Sequence, residues 1–156
     1  MKIDRQEIHS SILHFLELLK NENINRSIES LELALDKLAV IYHFIGEIPD
    51  DETEYPESPN PDYSRWREII AKHFPKFGLY NIPSTISKNI GEAKLHTGDA
   101  IDDLADIANE LSDFVWRWEN NSENNALWHL RYGYEIHWGS HLRSLQMYLR
   151  AIKNES

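Results

Sequence analysis

Apolar side chains recur about every 3.6 residues along almost the whole chain, and no stretch of useful length alternates with period two. Glycine and proline number only six each, so little interrupts that rhythm. A chain patterned this way buries helical stripes against one another, which predicts an all-α bundle. With 156 residues, five tryptophans and 41% hydrophobic content there is material for one core. Residues 1–156 are expected to fold as a single domain of five to six helices.

The same periodicity places the elements. A first helix is predicted from Arg5 to Lys20, with Asp4 as N-cap and Ile8, Ile12, Phe15, Leu16 and Leu19 as its stripe. A second runs from Arg26 to Phe44, burying Ile28, Leu31, Leu35, Leu38 and Tyr42, with Gly46 as its stop. A third spans Tyr63 to Phe74, where Pro75 ends it. Residues 75–83 read as an irregular link, and 85–95 carry no clear pattern. A strong helix over 99–119, a turn at 120–125 and a last helix over 126–153 complete the series.

Between the second and third helices the composition changes. GEIPDDETEYPESPNPDY, residues 46–63, holds four prolines and seven acidic residues with no lysine or arginine. Its charges repel one another and its backbone suits no core, so 46–62 is expected to be a long acidic loop. Such a loop is either solvated surface or a docking surface.

The formal net charge is −10. That field repels nucleic acid and anionic membranes, leaving neither as an expected partner, and draws in a basic protein. Absence of cysteine excludes disulfides, thiolate metal sites and a cysteine nucleophile. The charged N-terminus MKIDRQEIHS and the brevity of LAVIYHFI at 38–45 argue against a signal peptide or a membrane span, so a cytoplasmic location is expected. No G-x-S-x-G elbow or phosphate-cradling glycine loop is present, and no cofactor is expected.

Two motifs remain. In DDLADIANELSDF, 102–114, the core stripe is Ile101, Leu104, Ala108, Leu111, Val115 and Trp118. Asp102, Asp106, Asn109 and Asp113 fall on nearly the opposite face, with Asp103 and Glu110 farther round. This stripe reads as a solvated face, as an acidic patch for a basic partner, or as a Mg²⁺ or Mn²⁺ site built on Asp102 and Asp106. In YEIHWGSHL, 134–142, His137 and His141 flank the seam Leu127, Leu130, Tyr134, Trp138, Leu142, Leu145 and Leu149. HxxxH on a helix can hold zinc, but Trp138 stands where the zincin motif carries its glutamate. The histidines are therefore expected to be hydrogen-bonded stitching to carboxylates of a facing helix. Gly139, in mid-helix, is expected where something packs against the backbone.

DDLADIANEL followed by ALWHLRYGYEIHWGSHLRSL resembles a family of uncharacterised bacterial all-helical domains with a DDLADIY-type helix and an HWG-x-H helix. The resemblance rests on Asp102, Asp103, Leu104, Asp106, Ile107, Leu111, Trp128, Arg131, His137, Trp138, Gly139 and His141. It departs at Ala108, where the family has an aromatic, and at Leu130, where it has tryptophan. The resemblance implies that aspartates and histidines face each other across neighbouring helices as one polar network of Asp102, Asp103, Asp106, Arg131, His137 and His141. It implies no reaction.

Charge and the lack of catalytic apparatus lead to the expectation of a non-enzymatic inhibitor. It would be an immunity protein that occludes the cationic cleft of a basic toxin such as a nuclease. Asp50, Asp51, Glu52, Glu54, Glu57, Asp102, Asp106 and Asp113 would form the partner surface. The alternative is a metal-dependent all-α hydrolase acting on a nucleotide or phosphate ester, with Asp102, Asp106, His137 and His141 holding the ion.

Overall fold

The structure, a computed structural model, describes residues 2–49, 52–59 and 62–155. Each helix begins where a short polar side chain caps free amides. Asp4 accepts from the Glu7 amide at 2.8 Å and opens α1 (Arg5–Lys20). Ser27 and Ser30 bond reciprocally at the start of α2 (Ile28–Ile45), which ends at Gly46 with a φ of 72°. Asp62 caps α3 (Tyr63–His73), and Asp99 caps α4 (Ala100–Asn120).

The last rod is continuous but not uniform. It consists of α5 (Glu123–Gly133), a π-helical segment Tyr134–Trp138, and α6 (Gly139–Asn154). Counting that rod once, the described residues form five helices in a predominantly helical single domain, as the apolar rhythm predicts. No helix among them is long and apolar enough to cross a membrane.

α4 is the central element and packs against α1, α3, α5, α6 and the sheet. Leu104, Ala105, Ile107, Ala108, Leu111 and Phe114 are fully buried on it, and the two alanines let neighbouring helices approach closely. With helices on so many sides, only a narrow strip of α4 meets solvent.

The sequence reading is corrected at 75–99. β1 (Leu79–Pro83) and β2 (Leu95–Asp99) pair antiparallel, from Leu79 opposite Asp99 to Pro83 opposite Leu95. Their period-two signal is faint because Gly98 is the one fully buried residue of the two strands. The hairpin is rooted by aromatic rings: Phe77 meets Tyr148 edge-on at 5.6 Å, and Tyr80 lies 5.1 Å from Tyr148. The Gly78 amide donates to the Tyr148 hydroxyl at 3.0 Å.

Where it is described, the acidic loop is tied to the bundle at several points, while most of its side chains remain in solvent. Ile48 packs against the core, Asn121 Nδ2 donates to the Pro56 carbonyl at 3.1 Å, and the Ser58 hydroxyl donates to Asp113. Arg117, 5% exposed on α4, reaches Glu57 at 2.9 Å and Asp113 at 2.8 Å.

Candidate metal centre

α4 and the last rod lie side by side, and their polar residues meet. Asp103, Asp106 and Glu110, spaced i, i+3 and i+7, form one stripe of α4 facing His137 and His141. This corrects the expected outward stripe of Asp102, Asp106, Asn109 and Asp113. α4 is covered on more sides than an amphipathic helix with one apolar face, so the carboxylates of its flank are turned inward. Asp103 is only 5% exposed.

Each imidazole is backed by a carboxylate. His137 Nδ1 lies 2.8 Å from Glu110 Oε1, and His141 Nδ1 lies 2.7 Å from Asp103 Oδ1. Ionised carboxylates only accept, so each Nδ1 carries a proton, and wherever the rings are neutral both Nε2 atoms present lone pairs. Those two Nε2 atoms lie 3.2 Å apart, and Asp106 Oδ2 is 3.3 Å from His141 Nε2. One ligand atom from each of Asp106, His137 and His141 falls within 4.8 Å of the others.

Three electron-rich atoms converging on one point repel one another unless a cation sits between them. A proton on His141 is one remedy. The hydrogen bond to Asp103 holds the His141 pKa above its ordinary value, with Asp106 and Asp102 adding to the effect and burial opposing it. A divalent ion is the other remedy. Ligands about 2.0–2.2 Å from a metal, set at about 90–110° to one another, are about 3.0–3.5 Å apart. His141 Nε2 keeps that spacing to both His137 and Asp106, while the ligand atoms of Asp106 and His137 lie within 4.8 Å of each other.

The local fold serves this convergence. In the π segment the Gly139 amide donates to the Tyr134 carbonyl, five residues back. A Cβ on Gly139 would stand 2.5 Å from that carbonyl oxygen and 3.0 Å from the Tyr134 ring. The close packing expected at Gly139 is thus contact with the turn before it. Gly133 plays a parallel part, since a Cβ there would fall 2.9 Å from Glu110 Oε2.

The other expected site residues are dispersed. Asp102 pairs with Arg67, whose guanidinium also lies 3.4 Å from Asp99. Burial and the neighbouring Asp106 and Asp103 push the Asp102 pKa up, against the pull of His141. Arg131 lies outside the network, bonded to Glu135 at 3.2 Å and to the Gly46 carbonyl, because it projects toward the end of α2. Asp113 and Glu57 share Arg117, while Glu52 and Glu54 are exposed. Asp50 and Asp51 lie outside the described residues. Glu110 was not expected at the site, although its spacing from Asp103 and Asp106 carries the signal. Tyr80, which bonds Asp103, gave no sign in the sequence.

These features define a helical domain with a carboxylate-backed histidine pair beside an aspartate. The chain belongs to the family described as "Domain of unknown function (DUF5063)", which matches residues 5–155. Membership of an uncharacterised family is as the motifs implied. The crystal structure of protein BF1032 from Bacteroides fragilis is similar, with a TM-score of 0.67 and 19% identity over 98% of this chain and 95% of that one. At that identity the likeness shows the fold. No curated protein matches the chain.

The raised His141 pKa fixes a pH dependence for the metal-free protein. Since the folded-state pKa lies above the unfolded one, the stabilisation is complete below the ordinary value of about 6.5 and is lost as pH rises through the folded value. The difference in unfolding free energy between the chain and its His141→Gln variant is expected to shrink across that interval. Chemical denaturation at a series of pH values measures it; a difference that grows with pH would contradict the assignment.

Proposed function

We propose that the domain is a metal-dependent hydrolase whose divalent ion is held by Asp106, His137 and His141. The observation that carries this reading is the meeting of the Nε2 atoms of two carboxylate-backed imidazoles with the Asp106 oxygen. Backing carboxylates of this kind fix the tautomer and raise the basicity of metal-binding imidazoles. Three protein ligands leave coordination positions for water and substrate, as catalytic rather than structural sites do. The His137 side chain is 43% exposed, so those positions are reachable from solvent. A metal bound here supplies a Lewis acid and an activated water at neutral pH.

The surroundings bear on the substrate. Asp102, Asp103 and Glu110 add negative charge around the three ligands, and the nearby guanidinium of Arg67 is shared between Asp99 and Asp102. Such a field favours a neutral or cationic ester or amide over the phosphate ester that the sequence alternative named.

Calorimetric titration of metal-free protein with Zn²⁺, Mn²⁺, Fe²⁺ and Co²⁺ tests the centre. One ion per chain is expected, with affinity down by about 100-fold or more in His141→Ala and in Asp106→Ala. Asp102→Ala is expected to bind normally, since its carboxylate belongs to Arg67. If none of the four ions binds, the reading falls; if the metal-loaded protein hydrolyses no ester or amide, its catalytic half falls.

The acidic inhibitor is the second reading, favoured by the net charge of −10 and the exposed Glu52 and Glu54. It ranks lower because Glu57, Asp102 and Asp113 already have internal cations. Retention of a basic toxin by the immobilised protein, weakened in Glu54→Lys, would support it; a neighbouring gene that encodes no toxin would count against it.

A further inference from the structure

His137 and His141 are not held alike. Glu110, which backs His137, keeps 29% of its side chain exposed, and the His137 side chain keeps 43%. Asp103, which backs His141, keeps 8%, and its second oxygen accepts a hydrogen bond from the Tyr80 hydroxyl. Tyr80 comes from β1, remote in sequence from both helices of the centre.

The hairpin is shaped to deliver that hydroxyl. Tyr80 pairs across the sheet with Gly98, and a Cβ at Gly98 would lie 2.5 Å from the Tyr80 ring. With glycine there, the ring lies flat over the strand and is braced from beyond by Tyr148. Burial and the bond to Asp103 push the Tyr80 pKa up, so its proton stays on the phenol as a donor.

We propose that Tyr80 and Asp103 form a positioning relay that holds His141 as the rigid ligand of the centre, leaving His137 as the adjustable one. This rests on the metal reading above for its purpose, but not for its geometry. Tyr80 fixes the rotation of the Asp103 carboxylate. Asp103 then fixes the ring plane and the tautomer of His141, so that the Nε2 lone pair points toward Asp106 and His137. Without the phenol hydroxyl, a buried carboxylate oxygen loses its partner and the group is free to turn.

Two readouts test the relay, one needing no metal. Long-range ¹⁵N–¹H spectra of the metal-free protein, at alkaline pH where the ring is neutral, report the tautomer of His141. Wild type is expected to show only the Nδ1–H form, and Tyr80→Phe a mixture of both. Asp103→Asn offers an amide that donates to Nδ1 and is expected to invert the tautomer, as wrong-tautomer variants of other imidazole–carboxylate pairs do. Co²⁺ titration followed by visible absorption is the second readout. Tyr80→Phe is expected to weaken Co²⁺ about 10-fold and shift its bands, with a larger loss in Asp103→Asn and a smaller one in Glu110→Gln.

An unmixed Nδ1–H tautomer in Tyr80→Phe overturns the relay. So does unchanged Co²⁺ affinity and spectrum in that variant, provided wild type binds. If wild type binds no Co²⁺, the metal reading fails, and the tautomer alone decides whether Tyr80 positions His141.

Discussion

Arg117→Met is expected to destabilise the protein by about 3 kcal/mol, lowering Tm by roughly 6–12 °C, and to release the acidic loop. Arg117 is 5% exposed, and its guanidinium satisfies three separate partners: Asp113 at 2.8 Å, Glu57 at 2.9 Å and Asn125 at 3.3 Å. Methionine fills similar volume, so little packing is lost, but Asp113 keeps its charge in a largely buried place with, among the described residues, the Ser58 hydroxyl left to answer it. Removing one member of such a pair costs far more than the pair contributes, because the survivor remains desolvated. Arg117→Met with Asp113→Asn is therefore expected to recover more than half of the loss. Thermal unfolding of the two variants, with amide exchange along 52–59, measures both effects. Equal stability of single and double variants would mean that the isolated carboxylate is not what destabilises the fold.

Gly139→Ala comes next, at about 2–3 kcal/mol. In an ordinary helix interior this change stabilises by roughly 0.5–1 kcal/mol, so the expected sign is reversed. The reason is the approach of the Tyr134 carbonyl to 2.5 Å from where the methyl would stand. The oxygen is backbone and cannot move aside without breaking the π turn. His137 lies inside that turn and His141 just beyond it, so relaxation is expected to separate their Nε2 atoms and weaken the metal site as well. Chemical denaturation and Co²⁺ titration of the same variant test the two halves. A stabilised Gly139→Ala protein would contradict the geometry of the turn.

The helices were legible because most bury one stripe against one core. The first matches its predicted span of Arg5 to Lys20, and the others differ by a few residues at their ends. The hairpin was hidden because exposed strands need no alternation: Leu79, Asn81, Pro83 and Leu95 to Thr97 all meet solvent. In the last rod the signal existed in the spacing of Leu130, Tyr134, Trp138 and Leu142. Three steps of four residues, at about 100° per residue, end roughly 120° off a common face. A uniform α-helix cannot bury all four, and the wider turn at 134–138 absorbs the drift. On α4 the angular reading misled because it assumed one buried face where the bundle covers several. The pairing of carboxylates, Asp103 and Asp106 among them, with histidines across two helices was legible, whereas the parts taken by Glu110 and Tyr80 depended on tertiary placement.

The exposed hairpin has a bearing on handling the protein. A two-stranded sheet leaves both outer margins open, and an open margin is a template on which a stray strand can grow. Leu79, Ile86, Ile90 and Leu95, all more than half exposed, would feed such growth. Pro83 offers no amide hydrogen to an incoming chain, while Lys88 and Lys94 set like charges where two copies would stack. Those three residues stand where they would oppose such pairing, a matter separate from anything the imidazoles do.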